Sequence, residues 1–170
     1  MEYQSFYTYF LLKRKIIDLF WMIIAELFVF LHLIMNIEHV RNIIEGKQGF
    51  ENHIGMEFFS TPEPDTCVGR LHVDERTVQP FGFLSGGATL ALAETLAGVG
   101  SVSLCPDSIC MGMNVSGNHL HAARFGETVT ATARIIHRGG QTHVWHVDVR
   151  NEDDILISTV SVTNFILKKR

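Results

Sequence analysis

"GGATLALAETLAGVGSVSL", Gly86 to Leu104, decides how this chain folds. At ~100° per residue, Ala88, Leu90, Ala91, Leu92, Ala93, Leu96, Ala97 and Val99 surround the axis of a helix, so the spacing predicts one that is buried on most sides. Downstream, "ETVTATARIIH" (127–137), "THVWHVDVR" (142–150) and "ILISTVSVTNFIL" (155–167) are rich in β-branched residues and alternate with period two. The connectors "RGGQ" and "NEDD" are too short to hold crossover helices, so these strands run antiparallel. Upstream, "IGMEFFS" (54–60) and "TCVGRLHV" (66–73) flank the turn-rich "TPEPD" and form a paired set, with Pro62 and Pro64 in the loop. "IEHVRNIIEG" (37–46) has a short helical spacing that stops at Gly46. The expected fold class is therefore α+β: one long central helix wrapped by a single antiparallel sheet.

The chain has 170 residues, enough for one domain with a sizeable core. Its net charge is −4 and its 14 basic residues form no broad patch, which argues against nucleic acid as a partner. Cys67, Cys105 and Cys110 lack CxxC spacing, which predicts neither a disulfide framework nor a zinc site. His143 and His146 are three apart on a strand and face opposite sides, while His119 and His121 lack a third ligand, so no metal is expected. A reducing, cytoplasmic location and the absence of a cofactor follow as expectations.

Residues 1–35 differ in character. Lys13, Arg14 and Lys15 precede "IIDLFWMIIAELFVFLHLIM" (16–35), about as long as a membrane span but interrupted by Asp18, Glu26 and His32. Two readings stand: an apolar extension, 1–35, that contacts a membrane surface or a partner, or an upstream stretch before a true start at Met35. The domain proper is read as 36–170.

Glu94 is the anomaly, because a carboxylate inside a mostly buried helix is costly unless its environment compensates. A narrow solvent-facing stripe or a structural ion pair would explain it. Just upstream, Gly86 and Gly87 place bare backbone N–H groups at the helix start, where an oxyanion or a polarised carbonyl is best held.

"VDERTVQPFGFLSGGATLALAETLAG" (73–98) carries these features in an order and spacing that resemble the hotdog-fold acyl-CoA thioesterases, in particular the branch that includes menaquinone-pathway and proofreading hydrolases of aryl-CoA esters. "GMNVSGNH" and "HRGGQTHVW" follow in place, so the resemblance runs from about Asn36 to Leu167. It implies a hotdog fold and hydrolysis of an acyl-CoA thioester, with an aromatic acyl group expected. It also implies that Glu94 is the catalytic nucleophile or general base, that the Gly86 N–H polarises the thioester carbonyl, and that Gln79 positions that group. By the same resemblance Gly112, His119, Leu120, His121 and Ala122, with the turn His137, Arg138, Gly139, Gly140, Gln141 and Thr142, line the CoA arm, and Arg138 meets a phosphate.

This chain departs from the pattern at two positions: Ser85 replaces the usual His, and Gly98 replaces a Ser or Thr four residues after the acid. Ser85 keeps a hydroxyl donor; Gly98 keeps nothing. A non-catalytic acyl-CoA-binding module on the same fold is the competing reading. A serine-hydrolase elbow is excluded because Phe83 stands where its first glycine belongs. Finally, Gly86 and Glu94 are eight residues apart, or about 12 Å along one helix, too far to touch one thioester. A homodimer or homotetramer with shared sites is therefore expected.

Overall fold

A computed structural model describes residues 13–27, 34–44, 47 and 49–169. The chain divides into two compact units, Met1–Ile34 and Met35–Arg170. In the first, residues 13–27 form a helix (α1). The second holds the short helices α2 (Glu38–Ile44) and α3 (Phe50–His53), strands β1 (Glu57–Phe59) and β2 (Thr66–His72), the long helix α4 (Gly86–Leu104), and strands β3 (Ser108–His119), β4 (Thr128–Arg138), β5 (Thr142–Arg150) and β6 (Leu156–Lys168). The Gly46 stop expected after α2 lies outside the described residues.

The six strands form one sheet in the order β1-β2-β4-β5-β6-β3, and every neighbouring pair is antiparallel. The inward residues of alternate positions, such as Val129, Ala131 and Ala133 on β4 and Trp145, Val147 and Val149 on β5, are buried, and α4 packs against them. This is the hotdog arrangement that the sequence predicts. Small residues let helix and sheet approach: a Cβ on Gly100 would sit 2.5 Å from the Trp145 ring, and one on Gly69 would meet Leu92 and Leu96 at 3.4 Å. The α4 helix is the one described helix long and apolar enough to cross a membrane, and here it is the core of the domain.

A buried polar knot ties α4 to the sheet. Ser101 Oγ accepts hydrogen bonds from Trp145 Nε1 (2.9 Å) and Asn164 Nδ2 (2.9 Å), and it lies 3.1 Å from His143 Nδ1. Two donors occupy both lone pairs of the hydroxyl, so its proton goes to His143 Nδ1. That makes His143 a neutral imidazole with its proton on Nε2, which faces Cys105 Sγ at 3.9 Å. Burial, followed by the nearby Arg138 and His137, lowers the His143 pKa, in agreement with that assignment.

Two expectations need correction. First, α4 is not buried on most sides within one chain: Leu92, Ala93, Leu96 and Ala97 are covered, but Gly87, Ala91, Glu94, Thr95, Gly98 and Val102 stay at least partly open along one stripe. The sheet curls round the helix and stops short of that side. Second, β3 was not anticipated as a strand. It carries Gly112, Asn114, Gly117 and Asn118, residues of low strand propensity, and among the described residues it pairs only with β6, so its other edge has no strand partner there.

Candidate active site

The segment before α4 builds one end of the site. Val78 and Leu84 bridge to close a tight hairpin, with Gln79 N–H donating to Phe83 O (2.8 Å) and Gly82 N–H to Gln79 O (2.9 Å). Pro80 presets the turn, and Gly82 completes it at φ +83°, a conformation that favours glycine. The Gln79 side chain folds back on the same turn, its Oε1 accepting from the Phe81 N–H at 2.9 Å. With that carbonyl engaged, the amide NH2 is left as the donor that Gln79 offers outward.

Ser85 is the N-cap of α4, and its side chain makes no cap hydrogen bond. Its carbonyl accepts the Thr89 N–H at 3.0 Å, so the N–H groups of Gly86, Gly87 and Ala88 precede the helical ladder and carry the positive end of the helix dipole. Against them lies His119, the last residue of β3: a Cβ on Gly86 would fall 2.6 Å from His119 Nε2. Any larger residue would have to push the imidazole aside. The other ring nitrogen, Nδ1, is 2.8 Å from Ser158 Oγ, which holds the imidazole plane.

Gln79, Gly86, Thr89, Ser158 and the run His119, Leu120, His121 and Ala122 line a cleft of about 510 Å³, whose apolar walls are Phe81, Phe83, Leu84, Leu120 and Ile157. His121 Nδ1 donates to Leu156 O at 2.9 Å, which fixes its tautomer. Ser85 is not among the residues lining this cleft.

Glu94 is elsewhere. It sits on the open stripe of α4, two helical turns from Gly86, with its carboxylate packed over the Cα of Gly112 on β3. A Cβ on Gly112 would overlap Glu94 Oε1 and lie 3.1 Å from Cδ, so this position leaves room for the acid. The remaining residues expected along the CoA arm are at the far end of α4. There Arg138 Nη2 donates to Leu104 O at 3.1 Å, capping the helix C-terminus. The β4–β5 turn is closed by Gly139 N–H on Thr142 O (2.9 Å), while Gln141 O accepts from Ile166, and His137, Gly140 and Gln141 are exposed. One chain thus brings Gln79, Gly86 and His119–Ala122 together, and separates them from Glu94 with Gly112 and again from residues 137–142. No group of three or more metal-ligating side chains occurs among the described residues.

Ser158 and the aromatic walls were not foreseen. Ser158 meets His119 through the β3–β6 register, a pairing 39 residues apart that no local pattern announces. Phe81 and Phe83, beside Gln79 in the hairpin, were legible as apolar residues at a turn, a place where they gain nothing from the core.

The model of the thioesterase superfamily matches residues 81–158. Over 123 residues the chain is 39% identical to the 1,4-dihydroxy-2-naphthoyl-CoA hydrolase of Listeria monocytogenes, covering 72% of this chain and 98% of that protein. The chain belongs to the thioesterase superfamily. It is a thioester hydrolase, and its fold matches those of solved thioesterases. A variant thioesterase from Pseudomonas aeruginosa superposes with a TM-score of 0.72 at 29% identity, over 79% of this chain and 95% of that one. A Staphylococcus aureus relative superposes with a TM-score of 0.67 at 36% identity, over 71% of this chain and all of its own. That protein was solved as two alanine variants, one of a glutamate and one of a glutamine. The two replaced residues stand as many positions apart as Glu94 and Gln79 do in this thioesterase.

Proposed function

We propose that this thioesterase hydrolyses an aryl-CoA thioester to the free aromatic acid and CoA, in sites shared between two copies of the chain. The observation that carries this reading is the division of parts along α4. The donors cluster at its first turn, while the carboxylate lies about 12 Å further on, on an open stripe beside the free edge of β3. Two copies related by a two-fold axis, pairing β3 edge to edge with their α4 helices antiparallel, carry Glu94 of the second copy to the cleft of the first. The same antiparallel arrangement brings the 137–142 turn of the second copy beside that cleft, so the separated CoA-binding segments meet.

In such a site the thioester carbonyl lies at the first turn of α4, taking hydrogen bonds from the Gly86 N–H and the Gln79 amide as negative charge develops on its oxygen. His119, with Nδ1 accepting from the Ser158 hydroxyl, donates through Nε2 and supplies the imidazole that Ser85 does not. Glu94 deprotonates the attacking water or attacks the carbonyl carbon itself. Either way the C–S bond breaks, CoA leaves as the thiol, and water supplies the oxygen of the acid. The aryl preference is supported by the aromatic walls of the cleft and by relatives named 1,4-dihydroxy-2-naphthoyl-CoA hydrolase in Listeria monocytogenes and Escherichia coli and proofreading thioesterase in Cronobacter turicensis.

The test combines a substrate panel with hybrid complementation. Thiol release should favour benzoyl-CoA and 1,4-dihydroxy-2-naphthoyl-CoA over linear acyl-CoAs by at least about tenfold in kcat/KM, the scale on which an apolar pocket discriminates. Equal or better turnover of the linear esters defeats the aryl assignment. Gln79→Ala and Glu94→Ala, each inactive alone, should regain about a quarter of wild-type activity when mixed, because a hybrid pair carries both lesions in one site and none in the other. Hybrids verified by native mass spectrometry that stay inactive refute the shared site.

A further inference from the structure

The helix α1, residues 13–27, takes no part in the chemistry, and each of its residues is exposed. Nine large apolar side chains are among them, with Trp21 at 63%, Ile16 at 59% and Phe20 at 58%. Their arrangement is not uniform. At ~100° per residue, Leu19, Ile23, Ile16, Leu27, Phe20, Ile24, Ile17 and Trp21 occupy one arc of about 200°, with Phe20 at its centre. Arg14, Lys15, Asp18 and Glu26 fall on the opposite arc, together with Ala25 and Met22, whereas Lys13, the first described residue, falls on the apolar arc. An apolar face this broad, on a helix whose charges after Lys13 share the other side, has the pattern of a helix lying in the plane of a membrane surface.

Three further features select a lipid bilayer over a protein groove. The consecutive cations Lys13, Arg14 and Lys15 lie at one end of the described helical residues and complement anionic headgroups. Phe20 and Trp21 sit side by side, edge to face at 6.3 Å, and aromatic rings of this kind favour the headgroup level. The acids are confined to the polar arc, where a helix lying flat keeps both in water; a spanning helix would carry them through hydrocarbon.

We propose that α1 is an in-plane amphipathic helix that docks this thioesterase on anionic membrane surfaces. The contact is peripheral: the apolar arc enters the acyl–headgroup boundary, and the cations at residues 13–15 draw it to negatively charged lipid. Nothing in this proposal depends on the aryl preference or on the shared site.

The experiment is co-sedimentation of the full chain with vesicles of phosphatidylcholine containing phosphatidylserine at about 30%, read beside thiol release. The full chain should pellet with these vesicles, release at alkaline carbonate pH, and bind pure phosphatidylcholine far more weakly. Replacing Lys13, Arg14 and Lys15 together by Gln should lower the partition coefficient about a hundredfold, at roughly fivefold per cation. Phe20→Glu, at the centre of the apolar arc, should abolish binding, whereas Met22→Glu, on the polar arc, should leave it nearly intact; neither change should alter the turnover of a soluble acyl-CoA. Resistance to carbonate extraction with equal damage from Phe20→Glu and Met22→Glu overturns the in-plane helix in favour of a spanning one. A full chain that ignores anionic vesicles while self-associating through this segment overturns the membrane as its occupant.

Discussion

Replacing Gly112 by alanine isolates the position of the Glu94 carboxylate from every other property of the site. The backbone at Gly112 does not have a positive φ, so alanine suits the strand conformation. The obstacle is Glu94: the new methyl overlaps Oε1 and stands 3.1 Å from Cδ and 3.4 Å from Cγ. Ordinary carbon contacts begin near 3.5 Å, so the carboxylate must withdraw by on the order of 1 Å. The clash is with the free end of a flexible side chain, so the fold yields cheaply, and the melting temperature should stay within a few degrees of wild type. Catalysis should not yield so cheaply. A misplacement of about 1 Å typically costs on the order of 10² in rate, or about 2.7 kcal/mol in the barrier. The expected outcome is kcat reduced by about a hundredfold with KM nearly unchanged, measured by thiol release at saturating substrate. In the double variant with Glu94→Ala, the Gly112→Ala change should add nothing further, because both lesions act through one group. A soluble, folded Gly112→Ala enzyme with kcat within about threefold of wild type would refute the placement of Glu94 in the reaction.

Other perturbations probe neighbouring features. Gly98→Ser restores the hydroxyl one turn after Glu94, and a Cβ there meets nothing within 4 Å, so the variant should be more stable by about 0.5 kcal/mol from helix propensity and should turn over at least as fast, checked by thermal melts and kinetics. Gly86→Ala drives a methyl to 2.6 Å from His119 Nε2 and should cut kcat, while Gly87→Ala, whose Cβ meets only Ser85 Oγ at 3.6 Å, should not. Ser101→Ala leaves the Trp145, Asn164 and His143 groups of the knot unpaired in a buried setting and should cost roughly 3 kcal/mol or more in denaturant unfolding. The depressed His143 pKa means that the unfolded chain binds a proton the folded chain refuses; stability from this group is therefore full above pH ~6.5 and falls as pH drops below it, by at most ~1.4 kcal/mol per pH unit, and His143→Gln should remove that part of the slope.

The parts of the fold that were legible in the sequence are those whose pattern is local. The α4 helix is written in its run rich in alanine and leucine, and β4, β5 and β6 in predominant alternation of β-branched residues, because each of these buries a face in one core. β3 escaped because its residues answer to different demands. Gly112 makes room for Glu94, Gly117 would otherwise press on Val160 and Leu90, and the register shifts between Gly112 and Asn114, so the period-two signal is broken in the middle of the strand. The open stripe on α4 was misread for a related reason: Ala91, Gly98 and Val102 are as apolar as core residues, and composition alone does not separate a face covered by its own chain from one left open.

The same distinction governs the site. Sequence order placed Gln79, the paired glycines and Glu94 within sixteen residues of one another, yet the fold divides them, because a helix converts sequence proximity into distance at 1.5 Å per residue. Conversely, it joins Gly86 to His119, which are thirty-three positions apart, by ending β3 at the point where α4 begins. That junction also gives Ser85 a physical context. Ser85 and His119 flank the same first turn, His119 against the Gly86 Cα and Ser85 Oγ 3.6 Å from where a Cβ on Gly87 would stand. Ser85→His should therefore act through His119: in wild type the substitution should change kcat little or lower it, whereas in a His119→Ala background it should restore activity. Steady-state kinetics of the two single variants and the double variant decide the matter, and additive losses in the double variant would show that residues 85 and 119 do not serve one function.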